Sequence, residues 1–311
     1  MRAWKIVAII IVLLLTLSVM SGVTLAKENQ LEFKAVAAKD VELLKKVTLK
    51  GPSPRAVAVA NKKHGPGAAT GVIGVVTGGN RYAIVVGISD YPGMGSDLSY
   101  GDDDALAMQE VLIDVYHFPS ANVITLVDSE ATAQNILYAV DTIKNNEVGG
   151  DEVFFFFSGH GAQGVANDGD SEKIDEAIVC WGDSETFAYI WDGQLKSWFA
   201  PFDTSRICFV FDSCFSGGMN DLSGAGRVVN MASGETSYSY ELDSLQQGEF
   251  TYYFVVEGMQ QGRADIYDHN RDMILGQSSD VVVEEAFDYA KANCQFDKSA
   301  ISDDFRNDLG L

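Results

Sequence analysis

The feature that most constrains the fold is an unbroken apolar run at residues 153–157, one valine followed by four phenylalanines. A strand that faces water on one side alternates polar and apolar side chains, so a run without alternation needs cover on both faces. Such strands are typical of the centre of a parallel sheet between helices. Residues 207–211 have the same character and predict a second central strand.

Further segments of strand and helix character alternate along residues 81–295. We expect strands at 82–88, 122–127, 151–157, 177–181, 207–211 and 227–232, each rich in apolar residues. Helices are expected from Asp102, after caps at Thr132 and Asp192, and over residues 250–259 and 281–292. This alternation predicts an α/β fold, a three-layer αβα sandwich with a mostly parallel central sheet.

The N-terminus has the order of a secretory signal. Arg2 and Lys5 precede an uncharged apolar run at residues 6–20, and small residues lead up to Ala26. We therefore predict a signal peptide over residues 1–26 and an exported protein, extracellular or associated with the cell surface. The run is short for a membrane-spanning helix of about 20 residues. An uncleaved anchor is the alternative, and it would be the protein's only contact with a membrane.

Charge divides the rest of the chain. Residues 27–80 are rich in lysine and poor in aromatics, and they predict a basic, weakly structured extension. Most acidic residues follow residue 80, and the whole chain has a formal net charge of −22. So acidic a body argues against nucleic acid as a partner. We expect one domain over residues 81–295 and a C-terminal tail over residues 296–311.

Two reactive side chains follow the two central strands. His160 lies in the sequence Ser-Gly-His-Gly after the first, and Cys214 lies in Asp-Ser-Cys-Phe-Ser-Gly-Gly after the second. Ligands bind at the carboxyl ends of the strands in such sheets. A thiol with a pKa of about 8.5 needs a basic neighbour to act as a nucleophile at neutral pH.

These residues predict a catalytic pair. His160 can accept the thiol proton and return it to a leaving amine. The backbone amides of Gly161 and Cys214 can stabilise the oxyanion that forms during the reaction. Taken singly, a buried cysteine is more often a small apolar residue, and a histidine beside glycines is often a turn residue. The two motifs together favour catalysis.

Residues 154–161 and 210–218 resemble the two signatures of caspase-like cysteine peptidases, in their metacaspase and paracaspase branch. His160 and Cys214 are 54 positions apart, close to the roughly 50 residues found in caspases. The resemblance covers residues 81–262. The caspase pentapeptide Gln-Ala-Cys-x-Gly is absent, and Phe215 stands where metacaspases commonly carry histidine. The resemblance implies a caspase-like sandwich and a cysteine endopeptidase that acts on proteins or peptides, with no cofactor required for the chemistry.

The resemblance also implies a preference for substrates with a basic side chain. The metacaspase branch cleaves after Arg or Lys, and Asp104 and Asp212 match its acidic pocket positions. Ser158 matches a third position that lines the pocket. Two carboxylates in a concave site favour a cation over an acid. The simpler interpretations are helix-start electrostatics for Asp104 and a hydrogen-bonding role at a strand end for Asp212.

Acidic residues between the two motifs suggest a metal ion. The loop at residues 167–172 includes Asp168 and Asp170, and Asp183 follows it. Carboxylates are hard ligands suited to calcium, and calcium-dependent metacaspases have an acidic cluster in the matching loop. We therefore expect calcium as an activator bound by these three residues. A solvated acidic loop is the alternative.

A basic extension and an acidic pocket in one chain suggest a propeptide. Arg55, Lys62 and Lys63 are the expected self-cleavage points, although the extension could instead be a cell-surface linker. Two other functions stay open. One is a legumain- or gingipain-like peptidase of different specificity, and the other is a catalytically silent caspase-like binding module at the cell surface.

Overall fold

The computed structural model describes residues 42–46, 67–93, 95–169, 172–182 and 186–311, and of residues 42–46 the backbone only. All of them belong to one unit, Ala38–Leu311. The expected signal peptide and self-cleavage points lie outside the described residues, and so do Asp170 and Asp183. Within the described ranges, no helix combines the length and the apolar character needed to cross a membrane.

Twelve strands and five helices order the described part of the chain. They are β1 (Glu42–Lys46), β2 (Arg81–Gly87), α1 (Gly101–Glu110), β3 (Val123–Val127), α2 (Ala133–Lys144), β4 (Glu152–Ser158), β5 (Gly161–Val165), β6 (Asp175–Trp181), β7 (Phe187–Trp191), α3 (Asp192–Phe199), β8 (Ile207–Asp212), β9 (Arg227–Met231), β10 (Glu241–Leu242), β11 (Gln247–Gly248), α4 (Glu249–Thr251), α5 (Val283–Asn293) and β12 (Ala300–Asp303). Wider π-helical turns, Val111–Val115 and Tyr252–Gln260, continue α1 and α4. Every strand and helix predicted from the sequence has a counterpart here.

A six-stranded sheet forms the middle layer, in the spatial order β12-β9-β8-β4-β2-β3. The strands from β9 to β3 pair in parallel, and β12 runs antiparallel to β9 at the edge. The two unbroken apolar runs are β4 and β8, which are neighbours at the centre with every residue buried. The predicted α/β architecture with a mostly parallel sheet is confirmed.

Helices cover both faces of this sheet, as the Phe-rich strand requires. Phe154 and Phe156 join a core with Met108 of α1 and Phe287 of α5. Phe155 points the other way and meets Phe199 of α3 edge-on, with ring centroids 5.7 Å apart. Aromatic pairs of this kind add about 0.5–1.5 kcal/mol beyond the area they bury. The sandwich is therefore held by large apolar side chains on both sides of β4.

The first residues of α2 and α3 show which of the predicted N-caps are present. The Thr132 hydroxyl accepts a hydrogen bond from the Asn135 N–H at 3.1 Å and caps α2 as predicted. The predicted cap at Asp192 is wrong, because β7 runs straight into α3 and the N-cap position is Trp191. Asp192 lies in the first turn, where it is buried.

A second sheet of four strands, in the order β1-β5-β6-β7, lies next to the candidate site. All its pairings are antiparallel. The sequence analysis predicted only β6. In particular, β5 is rich in glycine and has little of the β-branched or aromatic character that marks strands.

The packed structure extends beyond the limits of 81 and 295 expected from sequence. Asp308 accepts hydrogen bonds from the backbone N–H groups of Thr70 and Gly71, both at 2.7 Å. Asp288 accepts the backbone N–H groups of Ala68 and Ala69. Part of the expected tail forms β12, so segments on both sides of the expected domain complete the fold.

Candidate active site

The two candidate catalytic side chains leave neighbouring strands at the same level. Ser158 at the end of β4 and Asp212 at the end of β8 are register partners. His160 and Cys214 each lie two residues beyond this pair. The Gly159 N–H donates to the Asp212 carbonyl at 3.2 Å and joins the two strand exits. The structure therefore brings the two predicted segments together at one edge of the sheet.

The backbones of Gly161 and Cys214 are in close contact. A Cβ atom at Gly161 would lie 1.8 Å from the Cys214 carbonyl oxygen and 3.2 Å from its nitrogen. Only glycine fits at this distance, because real side chains never approach backbone so closely. The glycine after the histidine thus allows the nucleophile's loop to lie against the histidine's loop. These are also the two residues whose amides were predicted to bind the oxyanion.

His160 is held by contacts on both its backbone and its ring. Its N–H donates to the Tyr91 hydroxyl at 2.8 Å, and that hydroxyl donates to the Val179 carbonyl at 3.0 Å. The Tyr91 and His160 rings lie 4.6 Å apart. Nε2 lies 2.7 Å from the Ser96 carbonyl oxygen. A carbonyl only accepts hydrogen bonds, so Nε2 carries the proton and Nδ1 is the basic atom of the neutral ring.

Cys214 lies in a loop fixed to the segment before β10. Its Sγ is 3.7 Å from the Ser239 carbonyl oxygen, and the residue is 2% exposed. The next residue, Phe215, has a left-handed backbone with φ 61°, which is rare for a bulky residue and costs energy. Its N–H donates to the Ser237 carbonyl at 2.9 Å, and its ring packs edge-on against Tyr238. The tight turn at Phe215 and the contact of Sγ with the Ser239 carbonyl fix the position of Cys214.

The three predicted pocket residues lie together beneath this loop. The Ser158 hydroxyl donates to Asp104 at 2.6 Å, and the Gly248 N–H donates to the same carboxylate at 3.0 Å. A Cβ at Gly248 would lie 2.4 Å from an Asp212 oxygen and 2.8 Å from an Asp104 oxygen. The two carboxylates therefore flank the same point.

Two hydroxyl residues and a third acid complete this cluster, and sequence reasoning missed all three. The Thr251 N–H and hydroxyl both donate to Asp212, at 2.9 and 2.7 Å. The Ser239 hydroxyl lies within hydrogen-bond distance of Asp212 and, at 3.0 Å, of Asp297. These residues come from the long segment after β9, which carries no motif.

The acids of the pocket are buried without a cation. Burial raises the pKa of Asp104 well above its usual range, and the charge of Asp212 raises it further. Burial also raises the pKa of Asp212, against the hydrogen bonds from Ser239 and Thr251. Among the described residues, no Lys or Arg forms an ion pair with these acids or with Asp297. Their environment consequently favours a positively charged ligand.

A separate acidic group lies beside β6. Asp168, Asp175 and Asp192 each offer an oxygen within 4.8 Å of the others, and Asp175 and Asp192 are buried. Like charges held this close repel one another unless a cation compensates them. Carboxylate oxygens from a loop, the start of β6 and the start of α3 fit the hard ligand set of calcium. Of the predicted ligands, the structure places Asp168 in this group, and it adds Asp175 and Asp192.

The other cysteines differ from Cys214 in position. All four cysteines lie in the described ranges, and none forms a disulfide. Cys180 and Cys208 lie inside β6 and β8, fully buried, and burial raises the pKa of both thiols. A thiol in such surroundings stays protonated and acts as a small apolar side chain.

Comparisons with known proteins point to one family. Residues 81–223 match the family model described as "Metacaspase, peptidase C14 domain". Metacaspase-1 of Plasmodium falciparum is 33% identical over 158 residues, which cover 46% of this chain and 25% of that protein. Metacaspase-1 of Schizosaccharomyces pombe is 30% identical over 152 residues, covering 46% and 36%. The chain thus spans well under half the length of the curated relatives it matches.

A solved structure supports the same fold over more of the chain. Protein GSU0716 from Geobacter sulfurreducens superposes with a TM-score of 0.53 at 15% identity, over 75% of this chain and 94% of that one. At this identity the likeness concerns the fold alone. The family match and the curated relatives show that residues 81–223 are similar to the metacaspase peptidase C14 domain.

Proposed function

We propose that the protein is a cysteine endopeptidase with Cys214 as the nucleophile and His160 as its proton-transfer partner. The observation that carries the proposal is the register of β4 and β8, which sets both residues two positions beyond paired strand ends. The Ser96 carbonyl supports the required tautomer, since it holds the imidazole proton on Nε2.

The proposed reaction follows the chemistry of an acyl transfer. His160 Nδ1 takes the thiol proton, and the thiolate attacks the carbonyl carbon of the scissile bond. The N–H groups of Gly161 and Cys214 stabilise the oxyanion. The imidazolium then gives its proton to the leaving amine, and the C–N bond breaks. Water, deprotonated by His160, hydrolyses the thioester and restores the thiol.

Replacing the nucleophile tests this assignment. We expect Cys214→Ala to lose at least about 1,000-fold in kcat/KM on peptides with Arg before the scissile bond, because the covalent step disappears. Cys294→Ser is the matched control, since it removes another thiol and should keep most activity. Equal activity of Cys214→Ala and the parent protein would contradict the proposal. No turnover by either protein, with any peptide, would favour a silent binding module.

We further propose that the pocket prefers Arg or Lys. The support is the pair of buried carboxylates at Asp104 and Asp212, whose hydrogen-bond donors among the described residues are neutral hydroxyl and amide groups. A buried carboxylate gains most from a cationic partner. Peptides that differ only in Arg, Lys, Asp or Asn before the scissile bond test this preference. Efficient cleavage after Asp or Asn alone would contradict it and favour a peptidase of another specificity.

Calcium is proposed as an activator at the acidic group beside β6. When bound, it would supply positive charge that offsets the repulsion among Asp168, Asp175 and Asp192. Asp168 also accepts the Gly193 N–H at 3.0 Å, which ties the loop to the start of α3. Calcium should raise thermal stability and activity together, and Asp175→Asn should remove both responses. A stability response that survives in Asp175→Asn would place the ion elsewhere.

The basic extension is proposed as a self-processed propeptide of an exported protein. Part of it, β1, pairs with β5, and Lys46 lies opposite Ala162, two residues after His160. This register brings the extension near the candidate site. N-terminal sequencing after incubation should show cleavage at Arg55, Lys62 or Lys63 in active protein and an intact extension in Cys214→Ala. Identical N-termini would rule out self-processing, and an intact residue 1 on protein collected outside cells would rule out a cleaved signal.

A further inference from the structure

Asp297 is a buried acid that neither the motifs nor the family match includes. It follows α5, well beyond residues 81–223, and is 8% exposed. One carboxylate oxygen, Oδ2, lies 3.0 Å from the Ser239 hydroxyl oxygen, which is also within hydrogen-bond distance of Asp212. The other, Oδ1, is buried and has no hydrogen bond of normal geometry among the described residues, although the Tyr240 N–H lies near enough to the carboxylate to lower its pKa. An unsatisfied buried carboxylate oxygen is costly to keep, and a donor supplied by a ligand would remove that cost.

The structure fixes the position of Asp297 firmly. The buried carboxylate of Glu249 accepts the backbone N–H groups of Gln295, Phe296 and Asp297, at 2.7, 2.9 and 2.9 Å. Three charge-assisted hydrogen bonds from one side chain hold the chain as it leaves α5. One buried acid, Glu249, thus orients another, Asp297. Burying Asp297 in this way would destabilise the protein if its carboxylate had no partner when substrate is bound.

Asp297 connects directly to the candidate pocket. The Ser239 hydroxyl lies between Asp297 and Asp212, and the carbonyl of the same serine accepts the Cys214 thiol at 3.7 Å. Burial raises the pKa of Asp297 well above its usual range, and the charges of Asp212 and Glu249 raise it further. The carboxylates of Asp297 and Asp212 therefore lie in one electrostatic cluster next to the nucleophile.

We propose that Asp297 is a third carboxylate of the specificity pocket and, with Asp104 and Asp212, binds the cationic end of the Arg or Lys side chain before the scissile bond. The inference rests on the proposed basic specificity. A guanidinium group presents five N–H donors in a plane, and an ammonium group presents three. Acceptors on three sides can engage more of the guanidinium donors, so the pocket should bind Arg better than Lys.

Substitution of Asp297 by asparagine provides the test. Peptides with Arg, Lys or citrulline before the scissile bond are compared, because citrulline is the neutral isostere of Arg. We expect Asp297→Asn to lower kcat/KM about tenfold for Arg and Lys and to leave citrulline nearly unchanged. Asp304→Asn, an exposed acid of the same segment, is the control and should change none of the three. An equal loss on all three peptides would show a structural role and overturn the inference.

A binding measurement keeps the test valid if turnover is lost. Agmatine carries a guanidinium on a short apolar chain, and its affinity for the Cys214→Ala protein can be measured by calorimetry. Adding Asp297→Asn, or Asp297→Ser if asparagine impairs folding, should lower the affinity for agmatine about tenfold. Unchanged affinity would overturn the role of Asp297. If the parent protein cleaves after neither Arg nor Lys, the proposed specificity fails, whereas cleavage that Asp297→Asn leaves unaltered defeats this inference alone.

Discussion

Buried acids at the two ends of the central sheet differ in whether a cation pairs with them. At the amino end, Glu152 and Arg206 are both more than nine-tenths buried and form an ion pair of 2.9 Å. At the carboxyl end, Asp104, Asp212 and Asp297 are as deeply buried, and their hydrogen-bond partners among the described residues are hydroxyl and amide groups. The buried negative charge is therefore neutralised by an arginine at the amino end, whereas at the carboxyl end no Lys or Arg of the described residues neutralises it.

The difference separates a buried acid that is paired with a cation from buried acids that are not paired with one among the described residues. Burial raises the pKa of Glu152, but the hydrogen bond and charge of Arg206 lower it again. Among the described residues, no corresponding cation lowers the pKa of Asp104. An acid buried without a cation destabilises the folded state, and such a cost is common at binding sites. Variants that change the acids at one end of the sheet at a time test this difference.

The largest expected effect is on substrate choice at the carboxyl end. Asp212→Asn should lower kcat/KM for an Arg peptide about 100-fold, because it removes a buried charge facing the cation. The citrulline peptide should lose far less. Glu152→Gln is the matched control at the other end and should leave the ratio of Arg to citrulline cleavage unchanged. A similar change of ratio in both variants would show that the two ends do not differ as described.

A large effect on stability is expected at the amino end. Arg206→Met leaves Glu152 buried without its cation and should lower the free energy of unfolding by about 3 kcal/mol. Urea denaturation measures the loss. The double variant with Glu152→Gln should recover much of it, since the unpaired charge is then gone. If Arg206→Met is neutral, the ion pair does not offset the burial of Glu152.

A smaller effect is the pH dependence of cleavage. The raised pKa values of Asp104 and Asp212 mean that these acids hold protons at low pH, and a cation binds only after they are lost. The ratio of kcat/KM for Arg over citrulline should therefore rise with pH, by about tenfold across the titration, which corresponds to one pKa unit of coupling. Dividing by the citrulline rate cancels the titration of Cys214 and His160. If the ratio of Arg to citrulline cleavage does not change with pH, the acids of the pocket are not uncompensated as proposed.

The smallest effect is a gain in stability. A raised folded-state pKa means that the folded protein binds more protons than the unfolded chain between the ordinary and the raised value. Stability therefore falls as pH rises through that interval. In the Cys214→Ala background, Asp104→Asn should stabilise the protein by about 1 kcal/mol at pH 8. The gain should fall close to zero near pH 3, below the ordinary Asp pKa of about 3.9, where both states hold the proton. Thermal unfolding at the two pH values measures the difference.

The centre of the fold, and the meeting of the two candidate catalytic segments at one edge of the sheet, could be predicted from the sequence for a physical reason. The unbroken apolar runs of β4 and β8 can only be central strands, and the motifs follow them directly. In a parallel sheet, neighbouring strands end at the same edge. His160 and Cys214 could therefore be placed together without knowing the rest of the chain.

The remaining residues of the site could not be predicted because they depend on contacts between distant segments. Ser239, Thr251 and Asp297 lie in stretches whose local pattern is that of ordinary loops and helix ends. Only the folded chain brings them to Asp212. Asp192 was mistaken for a cap because β7 was not recognised, and a strand that runs directly into a helix leaves no separate capping residue. An acid buried without a cation is likewise visible only in three dimensions.

The paired ends of β4 and β8 limit how this protein can diverge. Losing one residue from either strand would pull Cys214 or His160 back by about 3.3 Å and turn its side chain to the opposite face of the sheet. Apolar side chains in both strands can be exchanged while volume is kept. Insertions and deletions, by contrast, are tolerable only in the loops, so the two strand lengths should be inherited as a matched pair.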